Sequence, residues 1–159
     1  MSIIKTKNGK FICIDAVEVT GDLKGELDAL TDNGKLIESV IATHPFHTLS
    51  FKQFYQLYPS PKYFGTPRHL KILSEDVKWE GELLTEKSLK QFEPDLQLQI
   101  PEGTEYVDPK PSKINHLCGI FVFHPLSKTI HNNDTLMVSE KPNFLYSLYA
   151  KDGEVKFHS

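Results

Sequence analysis

The chain has 159 residues, 39% of them hydrophobic and 25% charged, the make-up of one folded domain able to build its own core. Its 18 basic and 21 acidic residues leave a formal charge of −3, too little positive field for nucleic acid or an anionic lipid surface. No apolar run approaches the roughly 20 residues of a membrane helix and the N-terminus carries no secretory pattern, so the expectation is a cytoplasmic protein with neither a membrane nor a nucleic-acid partner.

Lys10 to Asp15 is a short β-rich run behind an Asn8-Gly9 turn, and Ile3-Ile4 is its candidate hairpin partner. Gly21-Asp22 opens a helix through Leu30, with Leu23, Leu27 and Leu30 on one face, and Asn33-Gly34 ends it. Leu36 to Ala42 reads as a buried strand. Ser50 is placed to cap a helix from Phe51 to Tyr58, which Pro59 stops. Its aromatics Phe51, Phe54, Tyr55 and Tyr58 recur every three or four residues, the mark of a core face. Tyr63 to Thr66 suggests a short strand or turn, and Lys71 to Phe92 is polar, with a short helix around Glu86 to Phe92.

Leu96 to Ile100 alternates as a half-exposed strand, and Glu102, Glu105 and Asp108 belong to a solvated acidic loop. Gly119 to His124 is a buried strand, Lys128 to His131 starts another, and Asn132-Asn133-Asp134 is a loop. Phe144 to Tyr149 and Val155 to His158 flank a turn at Lys151-Asp152-Gly153 and read as a hairpin. Cys13 and Cys118 sit far apart inside apolar runs, as buried free thiols do.

Seven histidines are many for this length. His44, His47, His116 and His124 lie beside candidate strand ends, where a ligand is held rigidly. His44 and His47 are three apart across a Pro-Phe turn. If the strands after His116 and before Asp134 pair, those two residues reach one sheet end. His44, His47, His116 and Asp134 then form three imidazoles and a carboxylate, a donor set suited to zinc or iron and to activation of water. Thr43 and Asn115 are placed to orient the rings. The plainer alternative leaves each residue in its own local turn. His124 reads as structural or exposed, and His69, His131 and His158 as surface residues. Arg68 reads as a solvated surface residue, with contact to an anionic substrate as the alternative.

The order strand, Thr43-His44-x-x-His47, helix, His116-x-x-Gly119, apolar strand, Lys128-Thr-Ile and Asp134-Thr-Leu resembles the metallo-β-lactamase superfamily over about residues 3 to 138. The segment from His116 to Leu136 carries the better part of that likeness. The resemblance implies an α/β layered sheet-and-helix domain, an abbreviated αββα sandwich spanning 1–159. The strands at Lys10 to Asp15, Leu36 to Ala42 and Gly119 to His124 would share a sheet, with the helices Asp22 to Leu30 and Phe51 to Tyr58 on one face. It further implies a metal-dependent hydrolase acting on a small-molecule ester, thioester or amide. Two departures stand out: the histidine pair is spaced one residue wider, and Thr48-Leu49-Ser50 replaces the family's Asp-His pair. They keep a second reading open, that of a non-catalytic relative serving as a binding or scaffolding module. Half a sandwich also leaves a sheet surface to cover, by Phe144 to His158 or by a homodimer.

Overall fold

The computed structural model describes residues 1–110, 118–138, 148 and 155–157. The chain forms a mixed five-stranded sheet with strands in sequence order: β1 (Ser2–Lys5), β2 (Phe11–Ile14), β3 (Ile37–Ile41), β4 (Lys62–Gly65) and β5 (Trp79–Glu82). β1 and β2 are an antiparallel hairpin, and β2 to β5 run parallel. Helix α1 (Gly21–Thr31) joins β2 to β3, α2 (Phe51–Leu57) joins β3 to β4, and α3 (Pro67–Ile72) joins β4 to β5. Each crossover adds a strand on the same side of the last one. Crossovers of one hand that all step in one direction place their helices on one face of the sheet.

The packing follows that rule. Leu27, Phe51, Phe54, Tyr58, Leu73 and Val77 form one buried cluster with Cys13, Val40 and Tyr63 from the sheet. Alternate residues of the same strands, Ile12, Ile14, Ile41 and Phe64, face the other way and join Phe92, Leu96, Ile120 and Val122. That second layer comes from α4 (Glu86–Lys90) and an antiparallel sheet of β6 (Gln97–Gln99), β7 (Phe121–His124) and β8 (Thr129–His131). β9 (Leu136–Val138) pairs antiparallel with β10 (Val155–Phe157).

Several expectations change here. Gly119 to His124 does not share the sheet of β2 and β3. Its strand β7 pairs with β6 and β8, and Ile120 and Val122 pack against the first sheet. β3 already has parallel neighbours on both edges, so no edge beside it is open. In α1 only Leu27 of the three leucines is buried; Leu23 and Leu30 remain 38% and 49% exposed. The helix seats through Leu27 and Thr31 and is held by the Tyr58 hydroxyl donating to Asp28 at 2.8 Å. Ser50 precedes α2, but its side chain makes no capping bond. The polar stretch after Lys71 hides β5, and α3 begins earlier, at a Thr66 side chain that accepts from the His69 amide. β10 pairs with β9, and of the segment Phe144 to Tyr149 only an exposed Leu148 is described. No helix among the described residues is long and apolar enough to cross a membrane.

Candidate functional site

The carboxyl ends of β2 and β3 meet the loop after β8. β2 is followed at once by Asp15, a carboxylate only 3% exposed. Its backbone is left-handed, at φ 58°, a conformation that Asp tolerates better than most residues. One carboxylate oxygen accepts from the Thr43 amide at 2.7 Å. The other accepts from the Thr43 hydroxyl at 2.7 Å, His131 Nε2 at 2.9 Å and the Asn133 amide at 3.2 Å. Burial alone would push this carboxyl up. The bonds from His131 and Thr43 outweigh it and hold Asp15 below the ordinary carboxylate range. Asp15 therefore ties the exit of β3 to the exit of β8.

β3 runs on into Thr43 and His44, both fully buried. A tight turn through Pro45 and Phe46 brings the His47 amide to the His44 carbonyl at 3.0 Å. The two rings stand 4.5 Å apart, centroid to centroid. His47 donates from Nε2 to Asp134 at 2.8 Å, and its Nδ1 receives the Asn133 amide at 2.7 Å. Asp134 has φ 56°, and Asn132 accepts the Leu136 amide at 3.0 Å, so the loop is bent by its own side chains. One donor atom each from His44, His47 and Asp134 lies within 4.8 Å of the others. The Cys118 thiol stands 3.5 Å from His44 Nε2, and burial pushes it up to about 11. Gly119 lies close beside it: a Cβ there would sit 3.3 Å from the His44 ring, so the ring would have to give by a few tenths of an ångström.

Three of the four expected ligands thus converge. His116 and Asn115 lie outside the described residues, as does His158. Thr43 does not orient a ring nitrogen, since its hydroxyl and amide both serve Asp15. His69 and His131 are not surface residues: His69 is fully buried, and His131 is bound to Asp15 with its side chain 15% exposed. The sequence reading also missed Asp15 and Asn133. A charged residue ending the apolar run Phe11-Ile-Cys-Ile14 was a usable signal for Asp15. His124 is the half-exposed last residue of β7, with its ring bonded to Ser127. Arg68 lies with its guanidinium over Phe46, 5.1 Å from the ring centroid.

His69 braces the site from beneath. Its Nδ1 accepts from the Thr66 hydroxyl at 2.9 Å, and its Nε2 donates to the His47 carbonyl at 3.1 Å. Burial lowers this imidazole to about 4. The folded pKa lies below the unfolded value, so the unfolded chain takes up the proton first. Stability is therefore full above about 6.5 and falls as the pH drops toward about 4. Urea midpoints at pH 7.5 and pH 4.5 are expected to show that loss, and His69→Gln to flatten it. A His69→Gln slope equal to the parent's would refute the assignment.

Comparison with known family models, with curated proteins and with solved structures finds no match.

Proposed function

We propose that this protein is a metal-dependent hydrolase of metallo-β-lactamase type, acting on a small-molecule ester, thioester or amide. The observation that carries the reading is the convergence of His44, His47 and Asp134 at the carboxyl end of the parallel strands. Two imidazoles and a carboxylate fit zinc or iron, with His116 as the further ligand proposed from sequence. The fit has a cost: the His47–Asp134 bond at 2.8 Å must open to admit an ion. A bound zinc would lower the pKa of its water to near 7 and polarise the scissile carbonyl.

The protein's own residues set the stage for that chemistry. Asp15 fixes Thr43 and hence the position of His44, and Asn133 holds His47 by its Nδ1. The layering of helices, sheet and second sheet also supports an abbreviated sandwich of this superfamily. One observation favours the alternative of a non-catalytic binding module. Both ring nitrogens of His47 are already hydrogen-bonded within the protein, so this part of the site is satisfied without an ion.

Zinc titration of chelator-treated protein tests the reading. One ion per chain is expected, with affinity falling on the order of 100-fold or more in His47→Ala, Asp134→Ala and His116→Ala, since each deletion exceeds the 10- to 100-fold cost of losing an outer-shell partner. No uptake, or uptake unchanged in all three variants, would refute it.

A further inference from the structure

β1 places Ser2 opposite Ile14, one residue from Asp15, at the same sheet end as the histidine cluster. Its hydroxyl lies 2.8 Å from His131 Nδ1, and His131 Nε2 lies 2.9 Å from Asp15 Oδ2. Asp15 is ionised, so it takes the proton on Nε2 and leaves Nδ1 as the acceptor. The Ser2 O–H therefore points at a free imidazole lone pair. Hydroxyl, base and orienting carboxylate stand in one hydrogen-bonded line, the arrangement that activates a serine. Ser2 and His131 are both only partly buried, and β1 is the outer strand of its sheet.

We infer that Ser2 is an activated nucleophile, with His131 as its general base and Asp15 orienting the imidazole, open to acylation or phosphonylation by small reactive esters. In the step, Ser2 Oγ attacks the electrophilic carbon or phosphorus while its proton passes to His131 Nδ1. The bond to the leaving group breaks. An alkoxide takes the proton back from His131, and a fluoride departs as the anion while water removes the proton. Asp15 stabilises the imidazolium throughout. No metal enters this sequence, so it is independent of the zinc reading.

The test treats the full chain, in chelator, with a small fluorophosphonate and locates the adduct by peptide mass spectrometry. A single adduct on the Ser2 peptide is expected. It should vanish in Ser2→Ala, a conservative change in an edge strand, and form about 10²-fold more slowly in His131→Gln, the usual contribution of a general base. Near-UV circular dichroism checks that the His131 variant keeps its fold. No adduct on Ser2 overturns the inference, as does labelling that requires added zinc. Equal rates in the parent and His131→Gln overturn it too, because the imidazole would then be a spectator.

Discussion

Asp15→Ala is expected to cost about 2–6 kcal/mol, because it strands two fully buried Thr43 donors at about 1–3 kcal/mol each. With about 2–4 °C per kcal/mol in a domain of this size, the Tm should fall by on the order of 10 °C. The size comes from what is left behind. The Thr43 amide and hydroxyl, both fully buried, lose their acceptor, and His131 and Asn133 lose theirs. Each stranded buried donor carries a penalty of about 1–3 kcal/mol. Asp15 also gives a pH signature. Its folded pKa is depressed, so its contribution is full above the unfolded value of 3.8 and is lost as the pH falls through the folded value. Thermal melts of Asp15→Ala across acid pH should lack that part of the parent's loss. A destabilisation of about 1 kcal/mol or less, the worth of one ordinary hydrogen bond, would show that water replaces the carboxylate.

Phe51→Ala is expected to cost about 3–5 kcal/mol, the usual result of emptying a buried aromatic site. Phe51 is fully buried at the start of α2, with its ring 5.1 Å from His69 and 6.0 Å from Trp79. The cavity would open next to the imidazole that holds the His47 carbonyl. The variant should therefore lose zinc affinity as well as stability, although Phe51 touches no ligand. Phe54→Ala serves as the comparison: Phe54 is equally buried, with its ring against Tyr58 rather than in the ring contact that Phe51 makes with His69. Equal loss of zinc uptake in both variants would mean that general destabilisation, not the His69 brace, is at work.

β2, β3, α1 and α2 were legible because each carries a strong local pattern, whereas α3 was not foreseen. Phe11 to Ile14 is wholly apolar, Ile37 to Ile41 has apolar residues at both ends, and the aromatics of α2 recur at helical spacing. β5 was not, because Trp79-Glu-Gly-Glu82 has charges on alternate positions and half-exposed residues between them. The partner of β7 was misjudged for a different reason. Apolar content says that a strand is buried, but not which sheet buries it. At the site, histidine spacing and the loop before Thr135 pointed to three converging residues. His69 and His131 looked like surface residues because their partners, Thr66 and His47 for one and Asp15 and Ser2 for the other, include backbone groups and residues up to 129 positions away. No local pattern encodes such a pairing.

The Ile120 amide donates to the Thr43 carbonyl at 2.9 Å, linking the second sheet to the exit of β3 by main chain alone. Gly119, just before it, lies against the His44 ring. Separating Ile120 from the exit of β3 therefore means breaking a main-chain bond between the two layers. In hydrogen exchange, the Ile120 amide should be among the slowest to trade its proton, keeping time with whole-domain opening rather than with local breathing. The same link dates the site within folding. Residues 43 and 120 are brought together only when the layers dock, and such distant contacts close late. A chain caught midway, with β2, β3 and their helix already formed, would carry His44 and His47 yet still lack Cys118 and Gly119 against the His44 ring.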